Sequence, residues 1–403
     1  MGEAVPSRWL HEPRADAWVI EMARRLDVPI PARDDPIFAR LRHALVMPDD
    51  FADELASWVK QDRANRGRFD HLLDHPDEPE AERPAILQRL KDDLIDARPA
   101  WADPEKMRIG AEAHFRLGLL GRLANGTLGL LDGYRNAAVA KSLVATGSLA
   151  TATKRRLAET TKFANDILSS DGMQRGSPGF NAAIRVRLVH SFVRHGLARN
   201  PQWRHDAWGM PITIMDSLGT ALSFWVPAVL AAPVFGYTLS TREAEGMMTL
   251  WNYVGWLQGV PDELLPTTLH ETYRIYLAVM MQMGDADADS YKLAQSFLAV
   301  AAGHGDETSW LQEKMVLGAA ARLIPAAHRK ELGIPNTMFR FWPDLMRRQV
   351  RRKDARCHRD PAAYAAAVKA GREETLAALP QDLRQSSSYD PSEVIRDHSA
   401  LAA

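Results

Sequence analysis

The sequence predicts an all-α protein, one large helical core with terminal helical additions. Three observations carry that prediction. Apolar residues recur at spacings of three and four along most of the chain. No pair of alternating apolar–polar runs flanks a hairpin turn, as a half-buried antiparallel sheet requires. The composition, 46% hydrophobic and 25% charged over 403 residues, is that of a globular chain long enough to bury a large core.

The elements follow in order. Residues 36–60 read as a helix around Phe38, Leu41 and Leu45, then Phe51, Leu55 and Val59. Residues 76–84 form an acidic, proline-marked loop, and 84–97 a short amphipathic helix opened by Pro84. Residues 110–131 are apolar and rich in small residues, which predicts a buried, closely packed segment. Helices are predicted over 134–146, 151–169, 180–198, 214–230, 239–258, 262–283, 287–302 and 307–323. At the start of the 239–258 helix, Ser240 or Thr241 can cap, with Glu243 or Glu245 near the positive end of the dipole. Residues 340–359 are strongly basic, and the polar stretch from about Pro380 is predicted to be disordered. This divides the chain into an N-terminal helical region (1–105), a core (106–335), and a basic helical segment with its tail (336–403).

Several function classes are excluded early. A single cysteine rules out an intrachain disulfide framework, a four-cysteine iron–sulfur site and covalent C-x-x-C-H haem attachment. Fifty basic against 51 acidic residues, with a pI near 6.9, argue against a nucleic-acid coat protein. No secretory signal opens the sequence, so a cytoplasmic location is expected. The apolar stretch 221–237 approaches the roughly 17 residues of a short membrane span. Pro227, Pro233 and Gly236 interrupt it, so it reads as a buried helix pair with a proline break rather than a transmembrane segment. There is no phosphate-binding glycine loop, no G-x-S-x-G elbow and no H-E-x-x-H. No glutamate has a histidine three residues on, as the usual di-iron bundle would need. Cys357, between Arg356 and His358, reads as an ordinary near-surface thiol, although basic neighbours could activate it.

Among thirteen histidines, His71 and His75 share a helix face at i, i+4, but no third ligand is visible nearby. His11, His328, His358 and His398 sit in polar or terminal contexts and are expected at the surface. His190 is different. Ala183, Val186, His190, Val193 and Leu197 share one face, so an imidazole emerges from an apolar stripe. Arg187 and Arg194 stand one turn either side. A haem wall needs such a combination: apolar surface for the macrocycle, a neutral imidazole for iron, cations near the propionates. A satisfied core histidine explains the same spacing. In the preceding helix Arg156, Thr160, Phe163 and Ile167 line one face. A buried Arg156 there would require an anionic or carbonyl partner.

These residues resemble a known family. Arg156-x-x-x-Thr160, thirty residues before His190 in its Val-x-Leu-Val-His-x-x-Val-Arg-His context, is similar to the rubber oxygenases (latex-clearing proteins) and the broader MpaB-type oxygenases. The resemblance continues through Trp208-Gly-Met-Pro-Ile-Thr-Ile-Met-Asp216, Gly219-Thr-x-x-Ser-Phe224 and Trp251-Asn-Tyr-Val-Gly-Trp-Leu-Gln-Gly-Val-Pro261, on to Leu265-Pro266. It covers roughly residues 110–270. It implies an all-α fold with a globin-like core, and a non-covalent haem b whose iron is held by His190. It also implies Arg156 and Thr160 beside the haem as catalytic groups, and cleavage of apolar carbon–carbon double bonds with dioxygen. Arg187, Arg194, Phe163, Val186 and Val193 would complete the cofactor wall. Phe224, Trp225 and Phe235 would join Phe163 around the substrate.

Two departures accompany the resemblance. The family's distal glutamate has no counterpart in residues 134–153, where Ala140 and Lys141 stand. Glu159 replaces a lysine found in some members, and its carboxylate could be a displaced one. Solid rubber lies outside cells, so a cytoplasmic chain should use another apolar, unsaturated or isoprenoid-like substrate. The expected function is thus a haem-dependent oxygenase. The alternative is a haem-binding sensor or carrier without turnover, which the missing acid suggests. A third reading has the basic segment docking on an acidic partner or a membrane surface, against a plain solvated helix face.

Overall fold

A computed structural model describes residues 5–144, 149–169, 171–302 and 307–385. Among the described residues there are helices and connecting turns but no strands. Helix α1 (Ala17–Leu26) starts at Asp16, whose carboxylate accepts from the Trp18 and Val19 amides. The single helix expected over 36–60 is two, α2 (Pro36–Val46) and α3 (Asp50–Gln61). Pro48 cannot donate to the ladder, and Asp49 starts the second helix by accepting from Ala52. The short helices α4 (Arg63–Asp74) and α5 (Ala85–Leu90) follow. Helices α1 and α4 were not anticipated. Helix α4 is polar all round apart from Phe69, Leu72 and Leu73, so its periodicity is weak.

The central helix is α6 (Pro104–Ala124), continued by a π-helical turn over Asn125–Leu131. It is followed by α7 (Ala137–Val144), α8 (Leu149–Leu168), α9 (Pro178–Ala198) and the single turn α10 (His205–Trp208). The predicted 214–230 helix is again a pair, α11 (Ile214–Ser223) and α12 (Val226–Phe235), with Pro227 in the first turn of the second. Residues Ile214–Phe235 are long and apolar enough to cross a membrane, but most of that stretch is buried inside the fold. Helix α13 (Thr241–Leu257) opens with a capping box: Ser240 and Glu243 each bond the other's backbone amide.

Helices α6 and α13 approach so closely that a Cβ on Gly110 would lie 2.3 Å from the Gly246 carbonyl. Only glycine at both positions permits this backbone contact. It accounts for the small-residue character of the 110–131 segment.

The predicted 262–283 helix is shortened to α14 (Leu269–Met281), because Leu265-Pro266 breaks the chain and Thr268 caps afresh. Then come α15 (Ala288–Ala302), α16 (Glu307–Leu323), α17 (Ala326–Glu331), α18 (Trp342–Cys357), α19 (Pro361–Ala378) and α20 (Gln381–Gln385). Residues 381–385 of the stretch expected to be disordered from about Pro380 form the helical turn α20, and the rest of that stretch lies outside the described residues. One apolar cluster runs from Trp9 to Ile334, with Val368 of α19 packed against it, so the N-terminal helices share the core of the later ones.

A buried ion network ties the C-terminal helices to this core. The Arg116 side chain is fully buried on α6. It donates to Glu243 at 2.9 Å, to the Thr238 carbonyl at 2.9 Å, and to Asp354 of α18. Asp354 accepts from the Thr238 amide, and the Tyr364 hydroxyl donates to Glu243. Every charge in this group has a partner, as burial demands.

Candidate functional site

Helix α8 packs along α9 and against α6, and α9 also meets α3 and α13. His190 sits mid-way along α9, part-buried. Burial, and then the charge of Arg194, push its imidazole down to about 4. The ring is therefore neutral near pH 7. No described residue hydrogen-bonds it. A deep imidazole without a protein partner is unusual, because a satisfied core histidine would hold a carbonyl or hydroxyl.

The flanking arginines are engaged elsewhere. Arg187 holds Asp49 through two bonds, 2.9 and 2.7 Å, and lies over the Phe51 ring. Arg194 holds Asp53 at 3.0 and 2.6 Å and donates to the Ile212 carbonyl, while Ser191 also donates to Asp53. The two guanidiniums expected at a cofactor rim thus hold carboxylates at the start of α3, and these pairs tie α9 to α3. The valines of the His190 stripe also part company. Val186 packs on the main core, whereas Val193 joins a satellite cluster with Val189, Leu197 and Trp203.

On α8, half-buried Arg156 donates to the Leu143 carbonyl at 2.6 Å, the carbonyl partner its burial requires. Its charge also reaches the buried Tyr134 phenol, which burial pushes up. Thr160 is exposed. Glu159 pairs with Arg155 at 2.9 Å. In the acid-free stretch 134–153, Ala140 is fully buried, and Lys141 is paired with Asp287 and Asp289.

Phe163 is buried and its ring lies 6.0 Å from Phe224. Phe224 stacks on Trp251 at 4.3 Å, and the Trp251 indole donates to His114 Nε2 at 2.9 Å. Burial pushes His114 down to about 3, so this nitrogen stays an acceptor. The bond assigns the ring proton to Nδ1. Phe163 and Phe224 were expected around the substrate; the closure of this aromatic wall by His114 was missed in the sequence. Its only signal was a histidine one turn after Gly110, inside the segment predicted to be buried. Trp225 and Phe235 do not join it: Trp225 packs on Tyr273 at 6.0 Å and Phe235 on Trp342 at 5.9 Å.

Other singled-out residues are structural. Asp216 forms a capping box with Thr213 and is held by Arg8. Asn252 donates to the Pro266 carbonyl. Burial raises the Cys357 thiol, which argues against the activated reading. His328, expected at the surface, is buried: Nδ1 lies 3.0 Å from Asp132 and Nε2 3.4 Å from Asp16. The third group near His71 and His75 is Glu78, 3.0 and 3.5 Å away, but all three are exposed. Among the described residues no three His, Cys, Asp or Glu are grouped to hold a metal ion.

Residues 111–356 match the family described as the ER-bound oxygenase mpaB/B'/rubber oxygenase catalytic domain. The chain belongs to this family. It is 26% identical over 174 residues to a rubber oxygenase of Streptomyces sp. (strain K30), an alignment spanning 42% of each protein. The fold is that of a latex clearing protein solved in its closed state, with a TM-score of 0.63 at 19% identity. That match covers 84% of this chain and 92% of the other. Arg156, Thr160 and His190 all lie inside the matched stretch.

Proposed function

We propose that this protein is a haem b-dependent oxygenase that oxidises an apolar substrate, such as an unsaturated or isoprenoid-like chain, with dioxygen. The observation that carries the proposal is His190: a neutral, deep imidazole with no hydrogen bond among the described residues. A metal held by side chains alone would need several converging ligands, whereas a porphyrin brings four nitrogens and asks for one imidazole. The donor set around His190 fits that demand. When bound, the haem would supply the oxygen chemistry.

The chain's own residues would do the rest. His190 would hold the iron through one ring nitrogen. Arg194, locked on Asp53, keeps a positive charge near that ring and opposes its protonation. Thr160 can donate a hydroxyl hydrogen bond, and Arg156, fixed by the Leu143 carbonyl, holds a guanidinium on the same face of α8. Phe163 and Phe224 offer an apolar wall that excludes water and suits a hydrocarbon.

The test is a visible spectrum after haem reconstitution. A Soret band should appear in the wild type and be lost or shifted in His190→Ala. An identical spectrum in both would overturn the assignment. Oxygen uptake with unsaturated isoprenoids then separates an oxygenase from a haem-binding carrier, which would bind carbon monoxide without substrate-dependent uptake.

A further inference from the structure

Six large apolar side chains gather on one outer face, far along the chain from His190. Met338 and Leu345 are 78% and 80% exposed, and Trp310, Leu311, Phe341 and Met346 between 43% and 51%. They belong together: Trp310 meets Phe339 edge-on at 5.8 Å, and the turn carrying Met338 and Phe341 packs on α16 and runs into α18. Scattered exposed leucines need no explanation, but a contiguous patch does.

Directly beyond the patch, α18 carries Arg347, Arg348, Arg351, Arg352 and Lys353, all exposed and without an ion-pair partner among the described residues. At helical spacing Phe341, Leu345, Arg348 and Arg352 form one outward stripe, apolar at its start and cationic along its body, and Arg356 beyond them pairs with Asp360 at 3.7 Å. The acids of α18 do not neutralise it. Asp344 pairs with Arg322, and Asp354 is buried on Arg116. The opposite face is fixed to the protein by Pro343, Val350 and Asp354, by the Trp342 indole donating to the Met315 carbonyl, and by Trp342 stacking on Phe235. The stripe is thus held rigidly outward.

We propose that this face docks the protein on an anionic lipid surface, with the Met338–Met346 turn entering the interface and the arginines of α18 lying on the headgroup phosphates. Charge alone would suit any polyanion. Two side chains about four-fifths exposed at the head of the cationic stripe, Met338 and Leu345, favour a lipid boundary, where apolar groups leave water as the cations meet phosphate. Nucleic acid or an acidic protein segment offers the arginines a partner but gives Leu345 and Met338 no hydrocarbon to enter. This inference does not depend on the haem reading.

The test uses the full chain in a sedimentation assay with phosphatidylcholine vesicles, with and without phosphatidylserine. Binding should require phosphatidylserine and fall with salt. Arg348→Gln with Arg352→Gln should weaken it about 25-fold, taking roughly fivefold for each cation near the surface. Leu345→Ser with Met338→Ser, leaving every cation in place, should weaken it at least about tenfold through lost apolar burial. All four positions are exposed, so unchanged circular dichroism is expected. Absence of phosphatidylserine-dependent binding would overturn the proposal. So would full retention of vesicle binding in the Leu345/Met338 variant, since a general polyanion site, with every cation in place, predicts it.

Discussion

Replacing Gly110 by alanine separates two opposing effects whose signs differ. In an isolated helix interior, Gly→Ala stabilises by about 1 kcal/mol, because alanine loses less backbone entropy. At Gly110 the new Cβ would lie 2.3 Å from both the carbonyl carbon and oxygen of Gly246, and 2.5 Å from the Met247 nitrogen. All three are backbone atoms of α13, so no rotamer change relieves the contact. Ordinary van der Waals contact begins near 3.4 Å, so the helices must part by about 1 Å. Overpacking of this kind costs about 1–3 kcal/mol, and a shift of whole helices belongs at the upper end. The clash therefore wins, and Gly110→Ala should destabilise by about 1–2 kcal/mol net. Gly67, exposed in α4 with nothing within 4 Å of a built Cβ, is the control. Gly67→Ala should stabilise by about 0.5–1 kcal/mol. Urea midpoints of both variants against wild type read the two signs directly. If Gly110→Ala moved the midpoint up like Gly67→Ala, the close crossing of α6 and α13 would be wrong. With it would go the geometry that brings His114 to Trp251.

Three further outcomes are expected. Arg116→Met should cost about 3–5 kcal/mol, since it leaves Glu243 and Asp354 buried without their cation; urea unfolding measures it, and a loss below about 1 kcal/mol would mean that water reaches the network. Burial opposes the charge on His328, yet the bonds to Asp132 and Asp16 outweigh it and hold its pKa above the ordinary value. The stabilisation from its imidazolium is then fully present below the unfolded pKa near 6.5 and is lost as pH rises through the folded one. His328→Gln should therefore cost more at pH 6 than at pH 9, and a pH-independent difference in melting temperature would refute the clamp. Because burial raises the Cys357 thiol, reaction with a disulfide reagent at pH 7 should be slower than for a free thiol and should accelerate on unfolding.

The helical class, most helix positions and the His190 face were legible in the sequence, because helical periodicity and capping are local. The capping box at Ser240 and Glu243 was readable from a four-residue spacing. The breaks at Pro48, Phe224–Trp225 and Pro266 were underweighted, although proline chemistry marks each of them. Helix α4 escaped because a mostly polar helix leaves little amphipathic signal. The ion pairs of the expected haem-wall cations were hidden for a different reason. Arg187 and Arg194 do flank His190, but their partners lie 138 and 141 residues away in sequence. Only folding decides whether a guanidinium meets a ligand or an aspartate.

What the chain by itself determined is the all-α class, the family spacing from Arg156 through Thr160 to His190, and the apolar and small-residue faces. What only tertiary structure decided is which polar groups are satisfied. Arg187, Arg194, Arg116 and His328 each found carboxylates from distant segments, and His190 found none among the described residues. Burial makes that distinction consequential, because a paired buried charge is a structural clamp, whereas a neutral imidazole without a partner keeps a lone pair to offer. Spacing along one helix cannot reveal which of these a residue becomes, since the deciding partner arrives from another part of the fold.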